Sequence, residues 1–320
     1  MQIDYCLILA AGFGTRMGEI GKQLPKVLWP VFEKSLLELQ VAYAKSLGVK
    51  KIFINLHHMG KEIESFCHSK SAFEDVIFLW ESPEILDIGG AVHNLAQLPE
   101  VKYKGRLLVL NADQFFYLRS EELIHHLEKH KKAPAVLFNY WVNSNDGYNE
   151  LQVDEHRFVI GIRKNKDIPR DSKIETYTGI SWIDLSQLKP QSGVSSFFES
   201  VCPFKEKRIP TVILNQIDYW DFGTINRYWE TCFRILQTYV HNSTHPFLRF
   251  LVNEKALKTW KINLQKISYQ SQQARVINLS EADTKLQSGE AIFFTSFNQT
   301  LPQKGKWIFW NSLAQEITEK

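Results

Sequence analysis

Apolar positions along the first 140 residues fall into two alternating patterns. "YCLILA" is an unbroken apolar run, the mark of a strand buried on both faces. "SLLELQVAYAKSLG" instead places Leu36, Leu39, Tyr43 and Leu47 at helical intervals. Ser35 and Glu38 have capping-box spacing, and Gly48 is a C-terminal stop. The rhythm continues with strands "KIFINLH" and "VIFLW", a short helix "GGAVHNLAQL", strand "RLLVLNAD", helix "SEELIHHLEKH" and strand "PAVLFNYWV". This alternation predicts βαβ units and a mostly parallel sheet. Ligands on such sheets lie beyond the carboxyl ends of the strands. Leu9–Thr15 and Asn111–Asp113 occupy two such ends.

From about residue 149 to 217 short strand signals follow one another: "ELQVD", "FVIGIRK", "YTGISWID" and "TVILNQ". They read as antiparallel additions covering one side of the site. "NRYWETCFRILQTYV" reads as a helix that closes the main domain. Beyond about His241 the alternation is lost, with strand signals in "EAIFFTSFN" and "KWIFWNSL" and a polar "KISYQSQQARV". No hexapeptide period of the kind a left-handed β-helix needs is visible, so an attached acyltransferase is not expected. The fold expected is α/β: a three-layer, Rossmann-like domain with a mixed, mainly parallel sheet over residues 1–240, and a small appended C-terminal subdomain over 241–320.

Charge and cysteines narrow the function classes. The chain has 38 basic and 35 acidic residues, a formal net charge of +3. That balance argues against nucleic acid or an anionic membrane as the main partner and leaves room for a local cationic pocket. Cys6, Cys67, Cys202 and Cys232 are far apart and form no CxxC, so neither a disulfide frame nor a zinc ribbon is expected. The start "MQIDYCLILAAG" lacks a cationic leader region, and no run reaches the length of a membrane span. A cytoplasmic protein is expected.

The candidate chemistry sits in "LILAAGFGTRMGEIGKQLPKVLWPV". Its glycines run Gly12-x-Gly14-x-x-x-Gly18, one residue off a dinucleotide fingerprint, and Gly21-Lys22 lacks the other parts of a P-loop. Small residues at Ala10, Ala11, Gly12 and Gly14 let a backbone approach a ligand closely. Successive N–H groups in a turn can cradle an anion. Arg16 offers a planar fork to phosphate oxygens and Lys26 a point charge. The stretch therefore suits a nucleoside triphosphate. Asp113, at the end of an apolar strand, suits the Mg²⁺ that accompanies one.

"LAAGFGTRM" followed by "LPKVLWPV" resembles the signature of the sugar-1-phosphate nucleotidyltransferases. "INLHHMGKEIESF" and "EILDIGGAVHNL" resemble the short uridylyl- and guanylyltransferases acting on N-acetylmuramate, mannose or heptose 1-phosphates. "LVLNADQFF", "TYTGISWID" and "YWDFGTINRY" resemble the family's first metal strand, sugar segment and second metal site. The likeness runs from Met1 to about Val240 with its landmarks in order.

The resemblance implies a reaction of sugar 1-phosphate with NTP to give NDP-sugar and pyrophosphate. It places Arg16 and Lys26 in catalysis, and Leu9, Ala10, Ala11, Gly12, Gly14, Thr15, Gly89 and Gly90 around the nucleotide. Gly89 and Gly90 would lie against the base, where a side chain would block it. Asn111, Glu150, Thr178 and Gly179 would meet the sugar, and Asp113 and Asp221 would hold Mg²⁺. "LPKVL" leans toward UTP and an N-acetylated amino sugar. The alternatives are a mannose- or heptose-1-phosphate guanylyltransferase, or a nucleotide-sugar sensor that keeps the fold without catalysis. Arg163-Lys164 departs from the Glu-Lys common among relatives, and Ala112 stands where Gly is common. His57-His58, as consecutive strand residues, would point to opposite faces and share no ion. His126 and His130 read as a solvated helix face.

Overall fold

The computed structural model describes residues 2–214, 219–242, 244–251, 274–278, 289–294 and 305–318. Its first half follows the pattern closely. In chain order come β1 (Tyr5–Leu9), α1 (Leu36–Ser46), β2 (Lys51–Leu56), α2 (Gly60–His68), β3 (Val76–Trp80), α3 (Asp87–Ala96), β4 (Arg106–Asn111), β5 (Gln114–Phe116), α4 (Ser120–Lys129) and β6 (Ala135–Asn143). Then follow β7 (Glu150–Val153), β8 (Val159–Arg163), β9 (Lys173–Asp184), β10 (Thr211–Ile213), β11 (Tyr219–Asp221), α5 (Ile225–His241) and α6 (Pro246–Leu251). Four strands end the chain: β12 (Ala274–Asn278), β13 (Gly289–Phe293), β14 (Lys306–Trp310) and β15 (Leu313–Glu316).

Seven strands form the main sheet in the order β10-β6-β9-β4-β1-β2-β3. β1 runs parallel to β2 and β4, β2 to β3, and β6 to β10. Only β9 is antiparallel, to β4 and β6. Two sequence expectations change here. "TVILNQ" holds a parallel edge strand, not an antiparallel addition, and "YTGISWID" lies inside the sheet and does not cover it. Both are short apolar runs, and such runs carry no information about strand direction. Helix α2 carries a short apolar stripe, with Ile63 and Cys67 buried and Phe66 half-buried.

The period of two along β1 and β4 sorts side chains between two buried faces. Leu7, Leu107 and Val109 join Phe53 in a cluster with Ala91, Val92, Leu95 and Ala96 of α3 and with Phe197 and Val201. Cys6 and Ile8 alternate to the other face and are equally buried. All four cysteines are free and buried. Burial pushes the Cys6 and Cys202 thiols well up and that of Cys232 to about 12, which keeps them protonated and unreactive.

The predicted cap of α1 is present. Glu38 N–H donates to Ser35 Oγ at 3.1 Å, and Ser35 N–H donates to Glu38 Oε2 at 2.8 Å. Past its other end, Gly48 has φ +73°, the left-handed value for which glycine is favoured.

The chain divides into two compact units: Met1–Phe13 with Gln40–Trp220, and Gly14–Leu39 with Asp221–Lys320. In the second unit β12, β13 and β14 pair in parallel and β15 returns antiparallel to β14. Phe294, just after β13, meets the rings of Trp29 and Tyr228 at centroid distances of 5.2 and 5.7 Å. Phe294 thus packs on aromatic residues from the start of the chain and from α5. Phe309 is fully buried, in keeping with an aromatic core. The polar stretch 266–273 lies outside the described residues. Among the described residues no helix is long and apolar enough to cross a membrane.

Ser35→Ala removes the cap acceptor and is expected to lower stability by about 1 kcal/mol, read by urea unfolding at an unchanged m-value.

Candidate active site

In the first unit, the carboxyl ends of β1, β2 and β4 lie side by side. Leu9 is in register with Asn55 on one side and Asn111 on the other. One residue further, Ala10 N–H donates to Asn55 Oδ1 at 2.7 Å. Asn55 Nδ2 donates to Glu81 Oε1 at 2.7 Å, and Leu86 N–H donates to Glu81 Oε2 at 2.8 Å. Asn55 and Glu81 are both buried. The Ala10 amide is thus bonded within the protein. Ala10 and Ala11 are buried, Gly12 is exposed, and a Cβ built on Gly12 would meet nothing within 4 Å. The backbone is therefore open to a ligand at Gly12.

Beside it, the half-exposed Phe13 ring meets those of His57 and His58 at 5.7 and 5.3 Å. Both histidines follow the end of β2, so the expected strand alternation does not separate them. His57 Nδ1 lies 2.9 Å from the Glu81 carbonyl, and since a carbonyl can only accept, Nδ1 carries the proton.

Asp113 sits on a braced turn. Ala112 N–H donates to the Leu9 carbonyl at 3.3 Å. The buried Gln40 donates through Nε2 to the carbonyls of Asn111 and Gln114, at 3.0 and 2.8 Å. Asn111 Nδ2 donates to Gln114 Oε1 at 3.0 Å. Gly179, at φ +81°, packs on that pair, and a Cβ there would run into both side chains. Asp113 itself is half-buried.

Four of the residues expected at the ligand also make contacts within the chain. The Thr178 hydroxyl is buried, donates to the Phe138 carbonyl at 2.7 Å and accepts from Ile180 N–H at 3.1 Å. It holds the irregularity of β9 between Tyr177 and Ser181. Glu150 accepts from Arg163 Nε and Nη2, both at 2.7 Å, across the β7–β8 ribbon. Its carboxylate is thus paired within the protein. Gly89 and Gly90 lie in the first turn of α3 and are buried. A Cβ on Gly89 would meet the carbonyls of Ser195 and Ser196 at 2.5 and 2.6 Å, and one on Gly90 the Gly193 carbonyl at 2.5 Å. The room these glycines leave at Cβ is taken by the chain's own 193–196 segment.

The second unit holds the cationic residues. Gly14 has φ +61°, and its position lies against Lys26, whose Cβ would be 3.6 Å from a Cβ built there. Thr15 and Arg16 are exposed in a 3₁₀ turn, Thr15–Met17. Pro25 enters a second turn, Lys26–Leu28. From it Lys26 Nζ donates to the Gly223 carbonyl at 2.8 Å, and Gly223 N–H donates to Asp221 Oδ1 at 2.6 Å. Arg227 Nη1 donates to Asp221 Oδ2 at 3.0 Å, and Thr231 Oγ1 to the Asp221 carbonyl at 2.6 Å. Thr224 caps α5 by accepting from Arg227 N–H at 3.2 Å. The structure thus joins Lys26 and Asp221, nearly two hundred residues apart, through Gly223.

Asn55, Glu81, Gln40 and Arg227 were missed in the sequence. The available signal was a polar residue near the end of an apolar strand for the first two, and a basic residue one turn past a cap for Arg227. Among the described residues no group of three or more His, Cys, Asp or Glu side chains could form a metal cage. A single carboxylate such as Asp113 or Asp221 suffices for Mg²⁺, which takes one or two carboxylates and completes its shell with water and substrate phosphate.

The family model for nucleotidyl transferase matches residues 5–238. The chain belongs to the nucleotidyl transferase family. It is 36% identical over 164 residues to the bifunctional protein GlmU of Synechococcus elongatus, covering 50% of this chain and 34% of that protein. It is 27% identical over 158 residues to D-glycero-alpha-D-manno-heptose 1-phosphate guanylyltransferase of Campylobacter jejuni, covering 49% of this chain and 67% of that one. The chain matches 40% of the length of a GlmU from a Synechococcus strain, at 28% identity. HddC from Yersinia pseudotuberculosis, solved with GMP-PN, shares the fold at a TM-score of 0.60 and 20% identity, covering 72% of this chain and 99% of that one. A UDP-glucose pyrophosphorylase solved with UDP-glucose shares it at 0.58 and 18%, covering 74% and 100%. These neighbours cover a mixed, mainly parallel sheet of the kind seen in this nucleotidyl transferase.

Gly90→Ala is expected to cost about 1–3 kcal/mol by forcing a methyl group against the Gly193 carbonyl. Thermal unfolding checks this, and an unchanged melting temperature would contradict the packing role.

Proposed function

We propose that the chain transfers a nucleotidyl group from an NTP to a sugar 1-phosphate and releases pyrophosphate. The observation that carries this reading is the linked Lys26–Gly223–Asp221–Arg227 cluster beside the exposed Arg16 turn, in a chain of this family. An oxygen of the sugar phosphate attacks the α-phosphorus. A new P–O bond forms as the bond to the β-phosphate oxygen breaks, and pyrophosphate leaves with that electron pair. The nucleophile is already an anion at neutral pH, so no general base is required. The protein contributes position and charge.

Arg16 holds the β- and γ-phosphates of the leaving group. The Lys26 ammonium, directed by its bond to the Gly223 carbonyl, bridges the α-phosphate and the incoming sugar phosphate. Gly12 and Gly14 let the backbone close on the phosphates. Asp113 and Asp221 would hold Mg²⁺, which would supply positive charge to offset that of the phosphates. Arg227 keeps the Asp221 carboxylate aimed. Asn111 and Gly179, packed on each other, border the sugar.

The preferred pair is UTP with an N-acetylated amino sugar 1-phosphate, such as N-acetylmuramate or N-acetylglucosamine 1-phosphate. The Ala10-Ala11-Gly12 start and Leu24–Leu28 support it. A second reading, GTP with a heptose or mannose 1-phosphate, is favoured by the Campylobacter relative, two thirds of whose length the match covers.

The test is pyrophosphate release with ATP, CTP, GTP, UTP and dTTP, each crossed against a panel of sugar 1-phosphates in Mg²⁺. One productive pair is expected, and silence across the panel from protein that still binds an NTP would favour a sensor. Asp113→Asn is expected to lower turnover by about a hundredfold, on the scale of losing one key electrostatic group. Near-normal turnover would remove Asp113 from the metal site. Chelation by EDTA should abolish turnover, and added Mg²⁺ should restore it.

A further inference from the structure

We infer that Gln315 is a positioning residue for the loop that carries Arg16; this rests on the reading of Arg16 as a phosphate ligand. The turn Thr15–Met17 runs straight into a one-turn helix, Gly18–Gly21. The first N–H groups of any helix lack an acceptor four residues back. Met17, which precedes this one, offers no side-chain acceptor. The acceptor comes from the far end of the chain: Ile20 N–H donates to Gln315 Oε1 at 3.1 Å. Gly18 has φ +66°, and a Cβ on it would collide with the Gln315 amide group. The glycine thus opens a slot in which the Gln315 side chain lies across the backbone two residues after Arg16.

The strand that delivers Gln315 is itself held. Gln315 pairs with Ile308 of β14, which is fully buried. Ile317 is buried two residues on, and Asn226 Nδ2 of α5 donates to the Thr318 carbonyl at 3.4 Å. Phe294 wedges the same strand group against Trp29 and Tyr228. Tyr228 in turn donates to the Pro30 carbonyl, a few residues from Lys26. The C-terminal sheet is anchored on α5 and on the Lys26 segment, and its last strand reaches the Arg16 loop. Arg16 is an exposed side chain with four rotatable bonds, so its guanidinium can be aimed only if the backbone beneath it is fixed. Gln315 supplies that fixation and touches no substrate.

Gln315→Met keeps the length and removes the acceptor, and Gln315→Glu keeps an acceptor oxygen. In the full chain, Gln315→Met is expected to raise KM for the NTP about tenfold, the scale of a displaced phosphate ligand. KM for the sugar 1-phosphate and the melting temperature should stay near wild type. The Ile20 amide should exchange its hydrogen faster in Gln315→Met than in wild type. Gln315→Glu should restore both the exchange protection and the KM. A wild-type KM for the NTP in Gln315→Met would overturn the inference, as would an unprotected Ile20 amide in the wild-type protein. A wild type that releases no pyrophosphate with any pair would overturn the functional reading and this inference with it. An active wild type with an unaffected Gln315→Met overturns this inference alone.

Discussion

At the end of β1 the backbone leaves the sheet, and the buried Ala10 amide still needs an acceptor. Asn55 supplies it, Glu81 holds Asn55, and the second Glu81 oxygen receives the Leu86 amide. An unsatisfied buried amide costs about 1–3 kcal/mol, so this chain of bonds is a condition of the β1 terminus existing where it does. It draws the ends of β1, β2 and β3 into one arrangement and fixes the entrance to α3. Only then is Gly12 presented with open space above it. The network sets out the stage for the ligand without offering it a group.

The same economy recurs at the two aspartates. Asp113 is carried on a turn whose flanking carbonyls are pinned by Gln40. Asp221 accepts from a backbone amide and from Arg227. Hydrogen bonds to an ionised group are the stronger kind, and they set the direction of a carboxylate as well as its charge. Lys26 is tied to the same short segment through the Gly223 carbonyl. Gly223 thus serves both residues, accepting from the Lys26 ammonium and donating to the Asp221 carboxylate.

Three of the motif positions also carry contacts within the chain. Gly89-Gly90 resembles a base-contacting pair, yet the Cβ positions are filled by the 193–196 carbonyls. Thr178 resembles a sugar-contacting hydroxyl, yet its donor and one acceptor position maintain the irregular stretch of β9. Both residues lie within reach of their own backbone, and linear spacing cannot distinguish that from reach toward a ligand. Glu150 is a third instance, since its partner Arg163 lies across a hairpin and the pair forms only when the ribbon closes.

Sequence alone determined the elements whose pattern is local. The apolar run of β1, the capping box of α1 and its Gly48 stop depend on neighbours within a few residues, and each is present as read. The family was legible for the same reason, since its landmarks are short motifs in a set order. Tertiary structure decided what depends on distant partners. Strand direction for β9 and β10 is set by which edges pair. The Lys26–Gly223 bond joins segments nearly two hundred residues apart, and Gln315 meets Ile20 across almost the whole chain. A hydrogen bond is specified by both of its ends, and a sequence shows each end without showing that the fold brings them together.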